Sequence, residues 1–123
     1  MRCLIVDDSA TARALLRGLL KQAAPDAALV EADDATAAVQ AYGREPFDLV
    51  FLDMRMGGEN GCDVLYRLRL LDAAVRVVLV TGLPFTHPDV RAAMHAGTFG
   101  EIAKPPDAGG LRRVLSAAAA TPR

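Results

Sequence analysis

No sign of charge dominates this chain. Its 123 residues carry 14 Lys and Arg against 15 Asp and Glu, a formal net charge of −1. That balance excludes the basic field by which a domain gathers nucleic acid, and there is no polybasic tail for an anionic membrane surface. Cysteine is scarce. Cys3 lies in an apolar run and Cys62 follows an acidic, glycine-rich loop. Two unclustered cysteines read as free thiols rather than as a disulfide framework or a zinc site. Long apolar runs are missing too, and none approaches the roughly 20 residues of a membrane helix. The opening MRCLIVDDS turns acidic too early for a signal peptide, so the expected location is the cytoplasm. Internal repeats and linkers are also lacking, which predicts one domain over residues 1–123. With 52% apolar residues, a chain of this length can bury a core without staples.

What is present is alternation. Short apolar runs, CLIV (3–6), AALVEA (27–32), FDLVFLD (47–53), VRVVLVTG (75–82) and the weaker TFGEIAK (98–104), predict strands. Between and after them, residues 9–23, 33–43, 59–72, 86–97 and 106–120 carry helical patterns. Leu15, Leu16, Leu19 and Leu20 share one helix face. Ser9 is a good N-cap, Pro25 a natural stop, and Pro88 suits a first helical turn. Alternating strand and helix imply a parallel sheet covered by helices on both faces, and near-continuous apolar strands agree. Right-handed crossovers leave a few doubly wound orders, in which ligands bind beyond the carboxyl ends of the strands.

The residues just past those ends are therefore the ones to read. Asp7 and Asp8 follow the first run, Asp53 ends the third, Thr81 and Gly82 close the fourth, and Lys104 follows the fifth. Singly, each has an ordinary explanation: a turn or helix-capping Asp, a β-branched strand residue, a solvated lysine. Jointly, they place three carboxylates, a hydroxyl and an ammonium on one edge. Clustered carboxylates repel one another unless a cation is present. Oxygen donors suit magnesium, which takes one or two protein carboxylates and keeps several waters. A phosphoryl group on Asp53 fits such a site, neutralised by the metal and Lys104 and hydrogen-bonded by Thr81.

The segments LIVDDSATAR, DLVFLDMRM with Gly61, VTG at 80–82 and AG…AKP at 96–105 resemble the receiver (CheY-like) domain of two-component response regulators, over essentially the whole chain. The resemblance implies a flavodoxin-like (βα)5 α/β fold with sheet order 2-1-3-4-5. It implies Asp53 as phosphoacceptor. Magnesium, or manganese in its place, would be held by Asp8, Asp53 and the backbone carbonyl of Arg55, with Asp7 acting through water. Thr81 and Lys104 would contact the phosphoryl group. The donor would be a sensor histidine kinase or a histidine phosphotransfer protein docking at the first helix, near Ala10 and Leu15. The chain would act as a signalling switch, not as an enzyme beyond its own phosphorylation and dephosphorylation. It would be a monomer, or a weak dimer through the fourth helix, fifth strand and fifth helix. Nothing after Arg112 and Arg113 resembles a helix-turn-helix.

Two positions depart from the family. Gly57 stands where proline is usual, and a glycine loosens a loop. Glu101 stands where Tyr or Phe usually couples a threonine shift to burial of an aromatic ring, and a charged glutamate cannot repeat that cheaply. Phe99, two residues earlier, is expected on the same side of the strand. At the mouth of the site, Arg55 is read as attracting anionic donors or pairing with Glu59, and His87 as a solvated loop residue. Two other classes stay open. One is a constitutive binding module that has lost the switch. The other is a haloacid-dehalogenase-type phosphatase, disfavoured because the first strand ends in adjacent DD rather than DxD.

Overall fold

The computed structural model describes residues 1–121. In chain order, β1 (Arg2–Val6), α1 (Ala10–Ala23), β2 (Ala28–Ala32), α2 (Ala35–Arg44) and β3 (Leu49–Leu52) are followed by two short strands, β4 (Arg55–Met56) and β5 (Glu59–Asn60). Then come α3 (Gly61–Leu71), β6 (Val77–Thr81), α4 (Pro88–Gly97), β7 (Gly100–Ala103) and α5 (Ala108–Ala120). Each helix begins where a side chain accepts from an amide of the first turn: Ser9 from Ala12, Asp34 from Ala37, Asn60 from Cys62, His87 from Asp89 and Asp107 from Gly110. These caps satisfy donors that no helical turn can reach. His87 is thus the N-cap of α4, not a solvated loop residue. Pro88 at the first helical position has no N–H, so the cap bond falls on the amide of Asp89.

The main sheet has five strands in the order β2-β1-β3-β6-β7, every pair parallel. Counting only its own strands, this is the expected 2-1-3-4-5 flavodoxin-like order. Every residue of β3 and β6 is buried, as central strands covered on both faces require. Alternation divides the core. Leu4, Val6, Val50, Leu52 and Leu79 pack toward α2, α3 and α4. Cys3, Ile5, Phe51, Val78 and Val80 pack toward Leu16 and Leu20 of α1 and Leu111 and Val114 of α5. Cys3 and Cys62 are both free and buried. Among the described residues no helix is long and apolar enough to cross a membrane.

Further details differ from the sequence reading. The third helix begins at Gly61 rather than residue 59, because β4 and β5 first form a hairpin pairing Met56 with Glu59. Its two-residue turn has φ of 51° at Gly57 and 92° at Gly58. Positive φ at both central residues is the hairpin turn that suits strand twist, and proline could not adopt it. Phe99 also departs. It packs against the α1–α5 side of the core, where Ile102 lies, with the Arg76 guanidinium 4.7 Å from its ring centroid. Glu101 pairs in register with Leu79, which belongs to the other side. Regular alternation starts only at Gly100, so Phe99 does not share the side of Glu101.

Candidate functional site

The carboxyl ends of β1, β3, β6 and β7 meet at one edge of the sheet, and the residues expected there do converge. Asp7, Asp53 and Thr81 are the buried polar residues among those described, and Asp8 is exposed. One carboxylate oxygen from each of Asp7, Asp8 and Asp53 lies within 4.8 Å of the others. Lys104 Nζ reaches across from just past the end of β7, 2.8 Å from Asp7 Oδ2 and 3.3 Å from Asp53 Oδ2. One ammonium therefore bridges two buried carboxylates.

Backbone and side-chain bonds hold these groups in place. The Ser9 amide donates to Asp7 Oδ1 at 2.9 Å. Arg13 donates to the Asp7 carbonyl at 2.7 Å and is itself anchored by Glu31 at 3.0 Å. The Arg55 amide faces Asp53 Oδ1 at 3.4 Å. Thr81 Oγ1 accepts from the Leu83 amide at 3.0 Å, and the Thr81 carbonyl accepts from the Lys104 amide at 2.8 Å. The threonine hydroxyl is thus tied to the loop that leads into α4.

Burial pushes the Asp53 carboxyl above its ordinary range; the Lys104 charge opposes this and the Asp7 charge adds to it. For Lys104, burial pulls the ammonium down. The hydrogen bond to Asp7 and the charges of Asp53 and Asp7 outweigh that, and its pKa ends above the ordinary value. The site therefore keeps a firmly charged lysine beside a carboxylate whose ionisation is costly.

At the mouth, the glycine turn lies over Asp8: a Cβ on Gly57 would sit 3.6 Å from Asp8 Oδ2. Glu59 does not pair with Arg55. Its carboxylate accepts from the Ala35 amide at the start of α2, at 3.2 Å. Arg55 instead reaches α4, with Nη2 3.4 Å from Asp89 Oδ2 and 3.3 Å from His87 Nε2. On the opposite flank, a groove of about 370 Å3 runs between α1 and the loop after β7. Asp53 and Lys104 stand at its polar end, and Leu15, Phe51, Pro105 and Pro106 line its apolar part. Away from the edge, the Glu101 carboxylate accepts from the Thr98 hydroxyl at 2.6 Å. Sequence reading missed the Arg55 contacts with α4, the Glu59 contact with α2 and the groove, none of which has a local signal.

The sequence pattern of the response regulator receiver domain matches residues 3–116. This chain belongs to the response regulator receiver domains. The receiver is 32% identical over 126 residues to the sensory/regulatory protein RpfC of Xanthomonas campestris pv. campestris, covering 100% of this chain and 17% of that protein. It is 36% identical over 104 residues to the alginate biosynthesis transcriptional regulatory protein AlgB of Pseudomonas aeruginosa, covering 85% of this chain and 22% of that protein. It thus spans under a quarter of the length of these relatives. The crystal structure of the receiver domain of NtrX from Brucella abortus superposes with a TM-score of 0.87 at 28% identity, covering 98% of this chain and 99% of that one. Receiver domains are signalling switches of two-component systems and typically bind magnesium at an acidic pocket. The all-oxygen donor set of Asp7, Asp8 and Asp53 fits such a hard dication.

Proposed function

We propose that this receiver is a phosphorylation-dependent switch whose acceptor is Asp53. The reading is carried by the Asp53 carboxylate itself. It is buried at a strand end, 3.3 Å from Lys104, with two further carboxylates close enough to share a cation with it. The donor is a phosphohistidine on a sensor histidine kinase or a histidine phosphotransfer protein. The P–N bond breaks as a carboxylate oxygen of Asp53 bonds to phosphorus, and the imidazole keeps the electron pair. Magnesium, or manganese, supplies charge neutralisation of the phosphoryl oxygens when bound. Asp8, Asp53 and the Arg55 carbonyl would hold it directly, and Asp7 through water.

In this reading Lys104 neutralises a phosphoryl oxygen and Thr81 donates its hydroxyl to another. Both act on charge that develops during transfer, which is where fixed donors are most effective. Water attacking phosphorus regenerates the carboxylate and resets the switch, so the chain's only chemistry is on itself. The donor docks over α1 and the groove beside it. The receiver works in the cytoplasm as a monomer, or as a weak dimer through α4, β7 and α5.

The test is incubation with a small phosphodonor and magnesium. It should give an acid-stable, alkali-labile adduct of about 80 Da, one phosphoryl group, that is absent in Asp53→Asn. No adduct on the native chain, or the same adduct on the variant, overturns the reading. A second reading, a constitutive binding module, is favoured by one observation: Glu101 occupies the usual switch position and is bonded to Thr98. Amide shifts with and without a phosphoryl mimic separate the two. A module that does not switch moves only at the site, leaving α4 and β7 still.

A further inference from the structure

The helix α4 is held at both ends by an arginine from another element. At its C-terminal end, the Arg69 guanidinium of α3 donates to the carbonyls of Ala96 and Gly97. These are among the last carbonyls of the helix, where a cation also complements the helix dipole. The fit is close, since a Cβ at Gly97 would lie 2.8 Å from Arg69 Nη2. At its N-terminal end, Arg55 of the acceptor hairpin reaches Asp89 and the capping residue His87.

The two holds differ in strength. Arg69 makes two hydrogen bonds to one helix end and is partly buried. The Arg55 contacts are long single ones, 3.4 Å and 3.3 Å, and its side chain is 60% exposed. Exposed pairs of this kind contribute little. His87 adds a further weakness. Its Nδ1 already accepts from the Asp89 amide, so a neutral ring has no second acceptor for Arg55 at Nε2.

We propose that Arg55 is the residue through which a phosphoryl group on Asp53 acts on α4: its guanidinium leaves Asp89 and His87 for the phosphoryl oxygens, freeing the N-terminal turn of α4 while Arg69 holds the other end. The inference rests on Asp53 being the phosphoacceptor. Arg55 follows Asp53 by two residues, and its amide already faces Asp53 Oδ1, so the side chain starts at the mouth of the site. A phosphoryl group adds negative charge and three acceptor oxygens, which the planar guanidinium fork matches better than one carboxylate oxygen. The relay does not need an aromatic ring at position 101, where Glu101 stands bonded to Thr98. It gives α4 a pivot at Gly97 and a release at Asp89.

The test is amide hydrogen exchange with and without beryllium fluoride plus magnesium, with binding at the site read independently from the amide shifts of Asp8 and Met54. On the native chain, the mimic should speed exchange at Arg91 to Ala93 by about two- to fivefold, the range an exposed ion pair allows. The amides of Ala96 and Gly97 should not change. In Arg55→Ala and in Asp89→Asn, the first turn should exchange at the faster rate from the start, and the mimic should add nothing there. Asp89→Asn leaves Arg55 in place, so weaker mimic binding to Arg55→Ala would not excuse a negative result. A bound mimic with no change at Arg91 to Ala93, or a native-like response in Asp89→Asn, overturns the relay alone. A mimic that does not bind the native chain removes the phosphoacceptor reading and the relay with it.

Discussion

Adding a single methyl group behind Asp53, the proposed acceptor, should loosen the site as well as the fold. Gly61 opens α3, and its amide donates to the Met54 carbonyl at 2.9 Å. A Cβ there would meet Met54 Cα at 2.9 Å, the Asp53 carbonyl oxygen at 3.0 Å and Met54 Sδ at 3.0 Å. The sulfur can swing away. The two backbone atoms cannot, because they belong to the turn that leaves β3 and aims Asp53. Overpacking of this kind costs about 1–3 kcal/mol. Against it, alanine is favoured over glycine in a helix by about 0.5–1 kcal/mol in the interior and by less at the first position. The net loss for Gly61→Ala is about 1–2 kcal/mol, a fall of roughly 3–10 °C in Tm for a domain of this size. Gly18→Ala is the matched control. It is the same substitution inside α1, with nothing within 4 Å of the new Cβ, and it should gain about 0.5–1 kcal/mol. Thermal and urea unfolding measure both, and the yield of phosphodonor adduct reports whether Asp53 has moved. If Gly61→Ala is as stable as the native chain, or Gly18→Ala is less stable, the assignment of the close contact is wrong.

Four further outcomes are expected. Burial raises the Asp53 pKa in the folded state, so its stabilising contribution is present below the unfolded value of about 3.9 and is lost as pH rises through the folded value; Asp53→Asn should therefore gain Tm relative to the native chain between about pH 4 and neutrality, and a variant that loses ground over that range contradicts the cause given. Lys104→Met leaves Asp7 and Asp53 without their shared cation, and should cost about 1–3 kcal/mol in metal-free buffer while tightening magnesium binding by calorimetry; weaker binding would refute it. Asp8→Asn changes an exposed group, so it should weaken magnesium binding by about tenfold or more with little change in metal-free Tm, and unaltered binding would remove Asp8 from the metal site. Asp7→Asn removes a charge that raises Asp53, so the Asp53 carboxyl followed by carbon-detected NMR should titrate lower; an unchanged or higher midpoint counts against the arrangement.

The fold was legible because its signals are local. LVFL and VVLV are continuous apolar runs that fit strands buried on both faces, and Ser9 and Pro88 mark helix starts within one turn. The edge that carries the candidate site was legible for a topological reason: a parallel sheet gathers its strand ends, so Asp7, Asp53 and Lys104 meet although Lys104 and Asp7 are 97 residues apart. What was not legible depends on pairing without periodicity. Arg55 finds Asp89 across 34 residues and Glu59 finds Ala35 across 24, and nothing in either segment announces its partner. The two glycines at 57 and 58 are equally compatible with a loose loop and a tight hairpin until both φ values are known. Phe99 failed because alternation holds only within a strand, and it lies one residue before β7 begins.

The position of Lys104 bears on how the site is kept ready. Its ammonium is closer to Asp7 Oδ2, at 2.8 Å, than to Asp53 Oδ2, at 3.3 Å. A lysine held tightly on Asp53 would occupy the oxygen proposed to attack and would lower its basicity. A lysine held on Asp7 leaves Asp53 the less compensated of two buried anions, consistent with a carboxyl pushed upward mainly by burial. Sites that carry reactions often hold charge at some expense to stability. Here the arrangement is asymmetric, since Asp7 is fixed by the Ser9 amide at 2.9 Å and by Lys104 at 2.8 Å, whereas the contacts of Asp53 are longer, 3.4 Å to the Arg55 amide and 3.3 Å to Lys104. The fold thus spends its strongest polar contacts on the neighbour and leaves the proposed nucleophile the freer of the two.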